Sequence, residues 1–344
     1  MSKRIAVLGA GAIGSSVGAD LTAAGFDVTI IDQWPAQVDA MKRDGLRIVM
    51  PDLELRTPMR AWHLCELAEH DPAFDIVLMA VKSYDTRWLA ELIKPYLKPE
   101  GWFVGVQNSM NDDTIASIVG KERVVGCSLE LSAEIFTPGI VQRNTSRAST
   151  WFGLGELDGK LTKRVHELED LFRHIGRVTV TGNIYGTKWT KLIANTMTMG
   201  PFGLLGLKNW EPAELPGMFE ISVKLGRESV AVGHALGYRM EPVFGLLADE
   251  FAGATDEVLI TAMKTLLGHV GTNSRTAVVH DNLKGRGTEL ELISGLVARR
   301  GQALGIPTPC NSAGAEIGRE IHQGKRTMHP SNFVRLKELI ARSS

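Results

Sequence analysis

The sequence predicts an α/β domain followed by an all-α domain, and three observations carry that prediction. Up to about residue 181, short apolar runs alternate with helical stretches. Beyond it, strand signals nearly vanish and long helical patterns take over. A glycine-rich turn directly follows the first apolar run and opens a helix. Alternating strands and helices, then helices alone, describe a helix-flanked parallel sheet joined to a helical domain. The expected domains are 1–181 and 184–344, divided at Thr181-Gly182-Asn183. A chain of 344 residues is also long for a single core.

Residues 5–8, 28–31, 76–80 and 103–106 are apolar runs rich in β-branched side chains and lack polar alternation. Such runs suit strands covered on both faces. Crossover helices are expected over 11–24, 35–44, 83–96 and 110–119. A second group of strands, broken by Gly and Pro, is expected near 122–129, 138–143, 150–154 and 177–181. A helix between the last two, about 160–175, places Leu161, Val165, Leu168, Leu171 and Phe172 at helical spacing. In the second domain the helical patterns cover 184–199, 212–238, 242–251, 255–269, 288–304 and 312–323. No internal repeat or low-complexity stretch interrupts this order.

Composition excludes several classes. The 38 basic and 39 acidic residues nearly cancel, leaving no basic field to hold a nucleic acid. Cys65, Cys127 and Cys310 are far apart and form no CxxC pair. That argues against a disulfide framework or a cysteine zinc site and suits a reducing cytoplasm. The first strand starts within a few residues of the N-terminus, too early for a signal peptide. No apolar run approaches the roughly 20 residues of a membrane span. A soluble cytoplasmic protein with no membrane or nucleic-acid partner is expected.

The strongest motif is Gly9-Ala10-Gly11-Ala12-Ile13-Gly14, between the 5–8 strand and a helix whose Val17, Leu21 and Ala24 point inward. Gly9 permits the tight turn, Gly11 lets a pyrophosphate approach the backbone, and Gly14 lets helix and strand pack closely. The helix N-terminus then offers free N–H groups and a partial positive charge to phosphates. The domain is therefore expected to be a Rossmann-type, doubly wound dinucleotide-binding fold. Asp32 ends the second strand, 18 residues past Gly14, where an acid accepts hydrogen bonds from the adenosine ribose. Its charge repels a 2′-phosphate, and Gln33-Trp34-Pro35 supplies no arginine to offset that. NAD is favoured over NADP. The plainer role for Asp32 is a strand-end or helix-capping acid.

Lys191 and Asn195 are four residues apart on an expected helix and share one face. Hydride transfer to a ketone builds negative charge on the carbonyl oxygen. An ammonium beside that oxygen stabilises the charge and can deliver the proton. A neighbouring amide can orient lysine or substrate. The plainer fate of a helical lysine is an exposed surface position. Gln107-Asn108 closes the 103–106 strand at the edge where open α/β sheets hold ligands. Gly285-Arg286-Gly287-Thr288-Glu289 opens the 289–304 helix, and Thr288 with Glu291 has capping-box spacing. Glu289 has a structural alternative as a first-turn carboxylate.

In order and spacing these pieces resemble the ketopantoate reductase family across nearly the whole chain. The matching residues are GAGAIG, Val81-Lys82 after the 76–80 strand, Gln107-Asn108, Lys191-Leu-Ile-Ala-Asn195, the G-R-x-T-E run ending at Glu289, and Gly305-Ile-Pro-Thr-Pro309. The resemblance implies an NAD(P)-dependent oxidoreductase acting on a small hydroxy or keto compound. It implies Lys191 as general acid, Asn108, Asn195 and Glu289 as substrate-holding residues, and Lys82 near the cofactor. A homodimer follows by analogy of fold alone.

Departures from the family pattern bear on the substrate. Met199 stands where a second asparagine is usual, Ala277 near the place of a carboxylate-binding serine, Ser109 for a glycine and Ser294 for an asparagine. Met197, Met199, Phe202 and Leu204 make this side apolar, and burying a carboxylate without partners costs several kcal/mol. An NAD-linked dehydrogenase of a bulkier hydroxy compound, with Met199 among its substrate contacts, is expected in place of ketopantoate reduction. A small register shift would let Ser274 or Thr276 replace the serine. The alternatives are a 2-dehydropantoate 2-reductase using NAD(P)H, a 3-hydroxyacid dehydrogenase, which Gln107-Asn108 and Thr288-Glu289 argue against, and a non-catalytic NAD(H) sensor. His269 and His280 match no helical metal pair, and no metal is expected. Ser128 and Ser132 lack a nucleophile motif, and Glu130 and Glu134 read as solvated edge residues. The seven tryptophans are scattered and suit core or interface duty.

Overall fold

The computed structural model describes residues 3–241, 255–270 and 274–343, so the helix expected over 242–251 lies outside the described residues. The chain divides into two compact units, Met1–Tyr185 and Gly186–Ser344.

The first unit runs β1 (Arg4–Leu8), α1 (Ala12–Ala23), β2 (Asp27–Asp32), α2 (Pro35–Asp44), β3 (Leu46–Val49), β4 (Glu54–Thr57), β5 (Arg60–His63), α3 (Glu66–His70) and β6 (Phe74–Met79). It continues through α4 (Thr86–Ile93), β7 (Leu97–Val106), α5 (Asp112–Val119), β8 (Val124–Glu130), β9 (Ala133–Thr137), β10 (Ile140–Arg143), β11 (Trp151–Glu156), α6 (Lys163–Phe172) and β12 (Arg177–Val180). Eight strands form one sheet in the order β5-β2-β1-β6-β7-β8-β11-β12. The first six are parallel, and β11 meets β8 antiparallel. This is the expected doubly wound α/β architecture.

Continuous apolar runs work here because both faces are covered. In β6, Ile76 and Leu78 join one cluster with Val17 and Leu21 of α1 and Leu168 and Phe172 of α6. Val77 and Met79 join the opposite cluster with Leu89 and Ile93 of α4 and Ile115 and Ile118 of α5. Each such aliphatic side chain contributes about 1.5–3 kcal/mol on full burial, so removing either helical layer would strand half the strand's residues in water. Pro35 opens α2 where a missing N–H is no loss.

Four strands escaped the sequence pattern. β3, β4 and β9 join β10 in a separate four-stranded sheet, ordered β4-β3-β10-β9, that packs over α1. The expected strand near 138–143 therefore leaves the main sheet. β5 joins that sheet beside β2. The missed strands are short, and β4 carries exposed Glu54 and Arg56, so no apolar run announces them. Arg143 of β10 ties the small sheet to α1: its Nη1 donates to Asp20 Oδ2 at 2.6 Å, with both side chains almost fully buried. Leu161, expected on the inner face of α6, is 62% exposed and precedes that helix, which starts at Lys163 with Thr162 as its cap.

Among its described residues the second unit is built of helices and connecting turns, with no strand. Its elements are α7 (Ile184–Gly203, whose first two residues belong to the first unit), α8 (Trp210–Ala213), α9 (Met218–Ala235), α10 (Asp256–Val270), α11 (Ala277–Leu283), α12 (Ser294–Leu304), α13 (Pro309–His322) and α14 (Asn332–Ser343). The 212–238 stretch is broken: Leu215-Pro216-Gly217 separates α8 from α9, with Gly217 at φ +88°. The 288–304 stretch is broken too. Glu289–Leu292 is a 3-10 turn, Ile293 leaves helical geometry, and α12 begins at Ser294. Thr288 makes no side-chain capping bond, so the capping box read from spacing is not formed. The N-terminus of α13 is capped from another helix. Glu228 of α9 accepts from Cys310 N at 2.8 Å, Asn311 N at 2.9 Å and Asn311 Nδ2 at 2.8 Å. Burial pushes the Glu228 carboxyl above its ordinary range despite these bonds. Among the described residues no helix is long and apolar enough to cross a membrane.

Candidate active site

In the first unit, the chain leaves β1 toward β2 and β5 on one side, then returns through β6, β7 and β8 on the other. Such a reversal opens a crevice at the C-terminal ends of the central strands, here between β1 and β6. Gly9 turns there at φ +106°, donating from its N–H to Ile31 O at 2.8 Å. A Cβ on Gly9 would lie 2.8 Å from Val81 Cγ1 and 2.9 Å from the Ala80 carbonyl, so the turn presses against the end of β6. A Cβ on Gly14 would sit 1.9 Å from Gly9 O, which is why α1 can start so close to β1. Gly11 is different. Its Cβ would meet nothing within 4 Å, and it is the N-cap of α1 with no side-chain cap. Half-buried Ala12 and Ile13 follow. Uncapped N–H groups beside open space are what a pyrophosphate requires, so these residues fit a dinucleotide.

Asp32 ends β2 half-buried, with Oδ2 accepting from Ala10 N at 2.5 Å and Oδ1 from Trp34 N at 2.6 Å. The acid thus braces the glycine turn and its own strand end. Lys82 follows β6, half-buried, at the N-cap of a 3-10 turn, Ser83–Asp85. That turn is tied to the end of β7. Gln107 Nε2 donates to Val81 O at 2.8 Å and Thr86 Oγ1 at 2.9 Å. Asn111 Nδ2 donates to Ser83 Oγ and Asn108 O, both at 2.9 Å. Gly9–Gly14, Asp32, Lys82 and Asn108 therefore line converging strand ends. Ser109 adopts φ +68°, a left-handed conformation where the family pattern carries glycine.

The second unit holds the remaining candidates. Lys191, Asn195 and Met199 recur every four residues along α7 and share one face, with Asn195 buried and the other two half-buried. Glu289 is buried at the start of the 3-10 turn. That segment packs on α7 through Ser294 and Gly200: a Cβ on Gly200 would lie 3.1 Å from Ser294 Oγ. Ser274 accepts from Asn209 Nδ2 at 2.7 Å, and Thr276 caps α11 by accepting from Val279 N. Both hydroxyls that were candidates for the missing serine thus serve the local fold. Ala277 is half-buried at the start of α11.

Several residues were under-read from sequence. Lys188, three residues before Lys191, is only 3% exposed, and lysines are rarely buried without a partner. The i, i+3 spacing in Gly-Thr-Lys-Trp-Thr-Lys was the available signal. Glu130, read as a solvated edge residue, is buried at the end of β8, and Glu134 is half-buried. Ser128 is buried and Ser132 half-buried. His280 and its neighbour Asp281 are both buried, while the His269 side chain lies outside what is described. Among the described residues, no group of three or more His, Cys, Asp or Glu is placed to hold a metal ion.

Residues 5–156 match the family described as ketopantoate reductase PanE/ApbA, and residues 183–321 match its C-terminal domain. The 2-dehydropantoate 2-reductase of Archaeoglobus fulgidus is 24% identical over 329 residues, covering 94% of this chain and 99% of the relative. That of Caulobacter vibrioides is 29% identical over 321 residues, covering 90% and 95%. Among solved structures, D-mandelate dehydrogenase with NADH and anilino(oxo)acetate superposes with a TM-score of 0.82 at 20% identity, covering 93% of this chain and 98% of that one.

Proposed function

The chain belongs to the ketopantoate reductase family of NAD(P)-dependent oxidoreductases acting on CH–OH groups, and from that premise we propose that it interconverts a hydroxy acid and its keto form with NAD(H), the substrate carrying a larger apolar group than ketopantoate. One observation carries the reading: Met199, half-buried, extends the face of α7 that also bears Lys191 and Asn195. Buried Met197, Phe202 and Leu204 add to the apolar character of this helix end. Ser274 and Thr276 are engaged locally, which weakens the case for a compact, highly polar substrate. The D-mandelate dehydrogenase solved with NADH and anilino(oxo)acetate shares this fold and is compatible with the class.

When bound, the dinucleotide gives or accepts the hydride. The uncapped α1 N-terminus and Gly11 receive its phosphates, and Asp32 favours a free ribose hydroxyl over a 2′-phosphate. In the reductive direction Lys191 donates a proton to the carbonyl oxygen as negative charge develops there; in oxidation its neutral amine takes the hydroxyl proton. Asn195, Asn108 and Glu289 hold and orient the substrate. Lys82 contributes positive charge near the cofactor. A homodimer remains part of the proposal, on analogy of fold.

The test is Lys191→Ala. Turnover should fall by about 10²–10⁴-fold, the usual worth of a positioned acid–base group, while NADH affinity holds. A fully active variant would sink the assignment of Lys191, whereas a wild type that binds NADH but turns over no hydroxy or keto acid would favour an NAD(H) sensor. A second reading, reduction of ketopantoate itself, is favoured by the names of the curated relatives. Assaying ketopantoate with NADH and NADPH beside a panel of aryl and branched hydroxy acids with NAD⁺ separates the two.

A further inference from the structure

The 3-10 turn after β6 ends in Asp85, a half-buried acid that the reading of Asp32 does not use. Its Oδ2 accepts from Gln33 Nε2 at 3.2 Å and its Oδ1 from Trp88 Nε1 at 2.8 Å. Gln33 is the residue directly after Asp32, so two loops distant in sequence bring a second carboxylate to the C-terminal end of β2. Asp85 occupies the N-cap position of α4 yet makes no side-chain capping bond, so helix capping does not explain it. The Trp88 indole instead holds the carboxylate turned toward Gln33.

This is the edge at which a dinucleotide fold reads the adenosine ribose, and where a nearby arginine accommodates a 2′-phosphate. Here the side chain following Asp32 is a neutral amide, tied to another acid. We propose that Asp85 is a second specificity-determining residue for the cofactor, acting with Asp32 to reject dinucleotides that carry a 2′-phosphate. This rests on the NAD preference proposed above and adds a residue to it. A phosphate monoester carries about −1.5 to −2 charges at pH 7, so each carboxylate within several ångströms opposes it. A ribose hydroxyl carries no charge, so the same acid barely affects NAD(H). Asp85 is partly exposed, and its repulsion is therefore screened by salt.

The experiment is direct titration of protein fluorescence with NADH and NADPH, needing no turnover. It compares wild type, Asp85→Asn, Gln33→Arg and the double variant, with melting temperatures as the check on folding. Asparagine keeps an oxygen for the Trp88 indole and removes only the charge. In Asp85→Asn the NADPH dissociation constant should fall about fivefold, with NADH within about twofold, and the gain should shrink as ionic strength approaches ~1 M. Gln33→Arg alone should gain little, because Asp85 captures the guanidinium. In the double variant the gain should exceed the sum of the single effects. A wild type that prefers NADH, with an unchanged NADPH/NADH ratio in Asp85→Asn, would overturn this proposal and leave the role of Asp32 intact. A wild type that binds NADPH as tightly as NADH would overturn both.

Discussion

Replacing Gly11 and Gly14 separately by alanine should divide the duties of the glycine turn into one for the ligand and one for the fold. Gly11 has φ −66° and ψ −177°, extended backbone open to any residue, and its Cβ would touch nothing within 4 Å. Alanine is a poorer N-cap than glycine, by roughly 0.5–1 kcal/mol. Against that, the substitution lowers the entropy of the unfolded chain by about 0.4–1 kcal/mol. The two nearly cancel, so the melting temperature should move by no more than about 2 °C. The new methyl nevertheless fills the space through which a pyrophosphate reaches the α1 N–H groups, and NADH affinity should fall at least about tenfold. At Gly14 the Cβ would be 1.9 Å from Gly9 O, 3.0 Å from Gly9 C and 3.1 Å from Ala80 Cβ. The first two obstacles are backbone, so β1 and α1 must separate, at a cost of about 3 kcal/mol. At 2–4 °C per kcal/mol, melting should drop by about 6–12 °C. Thermal melts with and without NADH, together with fluorescence titration, measure both effects. The reasoning is refuted if Gly11→Ala melts as low as Gly14→Ala, or if it binds NADH like wild type.

The buried ion pair gives a second expectation. Arg143→Met removes the partner of Asp20 Oδ2 and leaves Asp20 with only the partly exposed Arg147. That should cost about 3 kcal/mol, and Asp20→Leu in the same chain should restore part of it, as a double-mutant cycle by denaturant unfolding will show. Thiol reactivity gives a third. Cys65 is exposed while Cys127 and Cys310 are buried, and burial pushes the Cys310 thiol up to about 12. In native protein a chromogenic disulfide reagent should titrate Cys65 at pH 8, with the other two reacting only after unfolding. Rapid native labelling of Cys310 would contradict its environment.

Legibility tracked the range of the interaction. The strands near 5–8, 28–31, 76–80 and 103–106 were readable because burial on both faces writes itself into consecutive residues. β4, with Glu54 and Arg56 in water, and β9 were not: each is a short strand joined by a tight turn to β3 or β10, and their sheet exists only because β3 meets β10 from far along the chain. The 288–304 segment has an unbroken helical composition, yet it breaks at Ile293 where it packs on α7 beside Gly200. Spacing also suggested a capping box that the 3-10 turn does not form.

What the amino-acid order determined alone is the β1-turn-α1 unit, the acid closing β2 and the common face of Lys191, Asn195 and Met199. All of these depend on residues a few positions apart and on fixed periods of strand and helix. Tertiary structure decided the rest: that Asp85 meets Gln33, that Asn111 and Gln107 lock the ends of β6 and β7, that Ser109 takes a left-handed turn, and that Glu130 and Lys188 are buried. The reason is that burial and long-range hydrogen bonding are properties of the packed chain, set by which distant segments arrive at the same place.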